Sequence, residues 1–161
     1  MPAVPTSLPR ATPGGPVAAL GQFRQVIDAV GATRTLAPEE SGALCLFDVA
    51  TGQVFTLPAP VVGMQFDFLV KTTITSGSSK VLTDAAATFL VGGAALVNSG
   101  AATAQFFAAN GTTHRSTNGN GTTTGGIIGD RLRFTAISTT VWSVDGVMND
   151  TGIAATPFAT S

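Results

Sequence analysis

An all-β fold is what this 161-residue sequence predicts: an antiparallel β-sandwich or barrel of about ten short strands behind an extended, proline-rich N-terminal arm. Three observations predict it. Short runs alternate apolar and polar residues, the period of a strand with one buried face. Glycine, proline, aspartate and serine clusters cut the chain at spacings too short for helices. Thr, Val and Phe are frequent, as suits pleated, half-buried surfaces.

Residues 1–22 form the first unit. Pro2, Pro5, Pro9, Pro13 and Pro16, with Gly14 and Gly15, deny it both a helix and a central strand. Val4, Leu8, Val17 and Leu20 are widely spaced apolar anchors, which suit an arm that becomes ordered along a neighbouring subunit; the alternative is a free solvent tail. Residues 23–146 form the β domain. Gln25–Val30 reads as its first strand, with Thr33–Leu36 following Gly31. Ala37–Gly42 is a turn whose bend Pro38 presets. Ala43–Val49 is apolar on both faces and is expected to be buried on both sides. The Ala50-Thr51-Gly52 turn returns it into Gln53–Leu57, which predicts a hairpin.

Gln65–Lys71 is the cleanest alternation, with Phe66, Phe68 and Val70 on one face. Ser76–Ser79 is its turn and Lys80–Thr83 the return. Residues 84–103 are rich in Ala and Gly. Thr88–Val91 and Ala94–Val97 read as two strands separated by Gly92-Gly93, because paired glycines weigh against a helix. Gln105–Ala108 is another strand. Residues 110–126 are almost wholly polar and predict a long exposed loop with at most a short hairpin. Arg131–Ala136 and Thr140–Asp145 make a second hairpin, with Leu132, Phe134, Ala136, Trp142 and Val144 inward. Residues 147–161 form a small polar tail anchored by Met148, Ile153 and Phe158.

Charge separates the function classes. Charged residues are 11% of the chain, against roughly 25% in ordinary soluble domains. A surface so poor in charge is expected to be covered by other subunits, or to be a Thr/Ser/Asn/Gly surface of the kind found on shells and fibres. A net charge of −1 lacks the clustered basic face that nucleic acid requires. Arg131 and Arg133 lie two apart on one strand and so share a face, which reads as solvated or interfacial. Cys45, the single cysteine, sits in an apolar run and is expected to be a buried, inert thiol. His114, the single histidine, lies in the polar loop beside Arg115 with no acid nearby, so no Ser-His-Asp site is expected. Glu39-Glu40 fall in a turn and the aspartates are scattered. Asp48, Asp84 and Asp145 lie near strand ends, where aspartate holds turns. No catalytic, cofactor-binding or metal-binding residues are therefore expected, and no run is long enough to span a bilayer. The function must lie in the surface.

The run from Glu40 to Asp84, with Arg131 to Gly146, resembles small β-rich proteins encoded among tailed-bacteriophage head genes, the capsid decoration or cement proteins. The residues carrying the resemblance are Thr56-Leu57-Pro58 with Pro60, the aromatic strand that follows, Ser76-Gly77-Ser78 with Lys80, and Trp142 ahead of Gly146. The resemblance covers roughly residues 33–146, and its motifs are short and structural. It implies a homo-oligomer, a trimer in many such proteins, made in the bacterial host cytoplasm and placed on the outer capsid surface of the virion. There it would bind the major capsid protein and tie neighbouring subunits together, with neither nucleic acid nor membrane as a partner. Val4, Pro5, Leu8, Pro9, Val17, Leu20, Arg131 and Arg133 are the candidate capsid or subunit contacts. The alternative is a phage fibre or receptor-binding module using the 110–126 loop.

Overall fold

The structure is a computed structural model that describes residues 24–28, 31–98 and 100–161. Among these the chain forms twelve strands: β1 (Val26–Asp28), β2 (Thr33–Thr35), β3 (Leu44–Phe47), β4 (Val54–Thr56), β5 (Gln65–Val70), β6 (Ser79–Leu82), β7 (Phe89–Asn98), β8 (Thr103–Asn110), β9 (Ser116–Gly119), β10 (Arg131–Ala136), β11 (Val141–Asn149) and β12 (Phe158–Ala159). One 3₁₀ turn, Pro38–Glu40, occupies the predicted bend. The strands make two sheets, of seven strands in the order β1-β3-β5-β10-β11-β7-β8 and five in the order β12-β9-β6-β4-β2. The architecture is sandwich-like, and neither sheet closes into a barrel.

The expected all-antiparallel pairing is corrected. Five of the ten strand pairings are parallel. The first six strands alternate between the sheets, so that β1, β3 and β5 stack in parallel in one, and β2, β4 and β6 in the other. The chain therefore winds like the coils of a short solenoid before its second half adds antiparallel strands.

This winding overturns the first predicted hairpin. Ala43–Val49 and Gln53–Leu57 supply β3 and β4, which belong to different sheets. Phe47 and Phe55 meet across the core instead, their rings edge-to-face at 5.2 Å. Gln53 holds the crossing: its buried amide accepts the N–H of Asp48 at 2.7 Å and donates to Gly31 O at 3.2 Å. Those bonds satisfy the N–H of Asp48 at the end of β3 and the carbonyl of Gly31 ahead of β2. The Ser76–Ser79 turn makes the same kind of crossing, from β5 to β6. The two crossings touch through glycine. A Cβ on Gly52 would lie 2.3 Å from Ser78 O, and one on Gly77 2.3 Å from Thr51 O.

Two further expectations change. Gly92-Gly93 does not break its segment, because β7 runs through both residues. Gly92 has φ +100°, and a Cβ there would stand 2.3 Å from Val144 O, so the glycine permits close approach to β11 without a turn. The polar 110–126 segment is not simply a loop. Within it β9 pairs with β6 and β12, burying Ser116 and Thr117. Two equivalent turns flank β9. Asn110 Oδ1 accepts the N–H groups of Thr112, Thr113 and His114, and Asn120 Oδ1 those of Thr122, Thr123 and Thr124. Such Asx bonding lets a polar segment pack because its donors are satisfied.

The second hairpin holds as read, β10 and β11 pairing antiparallel with Phe134 opposite Val144 and Ala136 opposite Trp142. Phe66, Phe68 and Val70 of β5 face inward with them. The inner faces of both sheets make one core centred on Phe47, Phe55, Phe68, Phe134 and Trp142. Beyond residue 146, Met148 and Phe158 are buried, whereas Ile153 is exposed.

Candidate interaction surfaces

The outer face of the seven-stranded sheet carries a cluster of charged side chains. Asp67 of β5 is buried there, between two arginines. Arg133 Nε of β10 donates to its Oδ1 at 2.9 Å, and Arg24 Nη1 donates to its Oδ2. Arg24 also donates to Gly42 O at 2.8 Å and Ala43 O at 3.1 Å. The first described residue is thus clamped across β3 onto β5. Burial opposes ionisation of Asp67, but the Arg133 and Arg24 bonds outweigh it and hold the carboxyl below its ordinary value.

That shift has a sign. A carboxyl depressed in the folded state adds stability above its unfolded pKa, about 3.9, and the gain is lost as pH falls through the lower folded value. Asp130 acts in the opposite sense, since burial pushes its carboxyl up. The difference between wild type and Asp67→Asn isolates the first effect. We expect the stability gap between them, measured by urea unfolding, to be constant above about pH 5 and to shrink below about pH 4. A gap independent of pH would show that the two arginines do not stabilise the charged form.

Arg131 and Arg133 share this outer face, as their spacing predicted. Their roles differ: Arg133 is committed to Asp67, whereas Arg131 is exposed and makes no ion pair among the described residues. Beside them, Asp145 and Val147 of β11 border a shallow depression of about 230 Å³. It adjoins a wider one of about 600 Å³ that reaches Gly93 and the ring of Phe106 on β8. Val147 and Phe106 are 55% and 70% exposed, so apolar groups stand here beside Arg131 and Asp145.

A second apolar surface lies at one end of the sandwich. The β4–β5 connection exposes Val61 and Val62, and Ile137 is exposed at the end of β10. Backbone bonds from Gly63 N to Ala136 O and from Ala136 N to Met64 O hold these segments side by side. The Thr56-Leu57-Pro58 motif therefore leads directly into this end. Val4, Pro5, Leu8, Pro9, Val17 and Leu20 lie outside the described residues.

The reactive residue types are accounted for by structure. Cys45 is fully buried, and burial, with a further push from Glu40, raises its thiol to about 12, which keeps it protonated at neutral pH. His114 is half-buried, not free in a loop: its ring stacks on Phe158 at 5.9 Å and its Nδ1 accepts the N–H of Asn110. Asp48 does not close a turn through backbone bonds; its carboxylate takes Lys71 Nζ at 2.6 Å and Thr72 Oγ1 at 2.8 Å. Among the described residues no cluster of three or more His, Cys, Asp or Glu side chains is placed to hold a metal ion, and no helix is long and apolar enough to cross a membrane.

Phe106, Val61, Val62 and Ile137 were not singled out from sequence. For Phe106 a signal existed: in the doublet Phe106-Phe107 of an alternating strand, one ring must face away from the core. Comparison with protein-family models, with curated proteins and with solved structures finds no match.

Proposed function

We propose that this chain is a structural virion protein, a capsid decoration or cement protein that sits on the outer surface of a phage head. There it ties neighbouring copies of the major capsid protein together. The observation that carries the reading is the character of the exposed surface. Val61, Val62 and Ile137 present a cluster of uncharged apolar groups at one end, directly after the Thr56-Leu57-Pro58 motif on which the resemblance rests. Phe106 and Val147 add exposed apolar groups on the sheet face, beside Arg131 and Asp145. Apolar ground of this kind on a small, weakly charged domain is the usual mark of a surface made to be covered.

The proposed mechanism is many modest contacts made at once. Copies associate, as a trimer in the arrangement the resemblance implies, and each copy contributes the apolar end and the residue 1–22 arm. Symmetric repetition then converts weak individual contacts into tight binding, because each later contact forms within an assembly already held in place. The arm is the first contact to test, through Val4, Pro5, Leu8, Pro9, Val17 and Leu20, with Arg131 on the exposed sheet face as a further one.

Deleting residues 1–20 leaves Arg24 and its clamp on Asp67 intact, so the β domain is expected to keep its far-ultraviolet circular dichroism. Binding of the truncated chain to heads stripped of the native protein is expected to fall at least tenfold, read by co-sedimentation. Full occupancy by the truncated chain would remove the arm from the mechanism.

A further inference from the structure

The edge strands of this molecule are not alike. Three of them are short: β1 has three residues, β2 three and β12 two. β1 and β2 also carry a charge, Asp28 and Arg34. Shortness and charge are the ordinary means of keeping a sheet edge from pairing with another chain. β8, the fourth edge, has neither. It runs for eight residues, Thr-Ala-Gln-Phe-Phe-Ala-Ala-Asn, with no charge and no proline, and most of it is exposed.

The groups of β8 left unpaired among the described residues can be assigned. Gly111 N–H donates inward to Leu90 O at 2.8 Å, while the N–H of Asn110 turns away from β7 and donates to His114 Nδ1. The register with β7 is unbroken from Asn110 to Thr103. Alternation along an antiparallel ladder then points the N–H and C=O of Ala104, Phe106 and Ala108 away from the sheet. The side chains of the same three residues lie on the outer face. Phe106 sits over Gly93, where a Cβ would come 2.6 Å from its ring, and its ring is 70% exposed.

We propose that β8 is a self-docking edge. Two copies of the chain pair β8 to β8, antiparallel, about a two-fold axis at Phe106, and their seven-stranded sheets become continuous. The outward groups select this register. With Phe106 opposite Phe106 of the second copy, Ala104 falls opposite Ala108 and Ala108 opposite Ala104. All three outward residues of each copy then pair, giving about six backbone hydrogen bonds. The two exposed phenyl rings meet as a cross-strand aromatic pair, and the flanking alanines leave them room. A second copy fits because the contact is self-complementary and meets no like charges. Being two-fold, it leaves any three-fold cluster of chains to a different surface and joins one such cluster to the next. It does not depend on the capsid reading.

The test uses the full chain in two variants. Phe106→Cys places two thiols on the axis, at the separation of directly opposed strand residues, within reach of a disulfide. The native Cys45 is fully buried and does not compete. Under mild oxidation Phe106→Cys is expected to form covalent dimers at least tenfold faster than Ile153→Cys, a control at a position 86% exposed. Native mass spectrometry of the unmodified chain is expected to give an even number of copies, and Phe106→Lys to halve it with unchanged circular dichroism. A native mass of one or three copies, or dimer formation by Phe106→Cys no faster than by the control, would overturn the proposal. Coverage of β8 by residues 1–23 of the same chain would give that second result.

Discussion

Phe68→Ala is expected to destabilise the domain by about 3–5 kcal/mol, lowering the midpoint of thermal unfolding on the order of 10 °C. Phe68 is 1% exposed and lies where the two sheets meet. Its ring packs against Phe134 at 5.3 Å, Phe55 at 5.5 Å and Phe47 at 5.9 Å, so one side chain joins β5 to β3 and β10 in its own sheet and to β4 in the other. Truncation removes the buried ring area and leaves a cavity that three aromatic neighbours cannot fill without leaving their rotamers. Phe68→Leu keeps most of the volume and is expected to cost only about 1–2 kcal/mol. Equal losses for the two substitutions would mean that the ring cluster is not what holds the sheets together.

Removing the Asp130 carboxylate is expected to be comparably damaging for a different reason. Asp130 is 2% exposed. Its Oδ2 accepts the N–H groups of Gly126 at 2.8 Å and Ile127 at 3.0 Å, and its Oδ1 accepts the N–H of Asn149 at 2.8 Å and that residue's Nδ2 at 2.7 Å. One side chain thereby fastens the end of the 110–126 segment to the end of β11. Burial pushes the carboxyl up, against the pull of these four donors. Asp130→Ala leaves all four without an acceptor; a stranded buried donor costs about 1–3 kcal/mol, and of these the Gly126 N–H is buried while the other three are part-buried. Water entry and local relaxation bring the expected total to about 3–5 kcal/mol. Asp130→Asn retains one acceptor oxygen but turns an NH₂ group towards two donors, so its loss is expected to fall between those of wild type and Asp130→Ala. Chemical denaturation of the three proteins measures the order. Asp130→Asn matching wild type would mean that only one oxygen matters.

The aromatic strands were legible in the sequence. The alternation in Arg131–Ala136 is strict and that in Gln65–Val70 is broken only by Leu69, and each inward residue of those strands is where its parity places it. The solenoid-like winding of the first half was not legible. Ala50-Thr51-Gly52 has the composition of a hairpin turn, and composition does not say whether the chain turns within a sheet or crosses to the other. The Gln53 side chain ties Asp48 N–H and Gly31 O at the crossing, and a glutamine at a strand start looks solvent-facing. β9 was missed because Ser116 and Thr117 are polar, and polarity reads as exposure until a partner for each group is visible. The apolar surfaces stayed hidden for the reverse reason: Val61, Val62 and Ile137 look like core residues, and only the backbone path shows them facing out.

The central claim, that this surface is made to clasp a capsid, is tested most directly by cryo-electron microscopy of the native assembly containing this chain. The account predicts density for the two-sheet domain on the outside of the head, at the junctions between capsomers, with the end bearing Val61, Val62 and Ile137 and the N-terminal arm in contact with major capsid subunits. Density confined to a tail tip or spike, with the 110–126 segment pointing outward and no copies on the head, would contradict it.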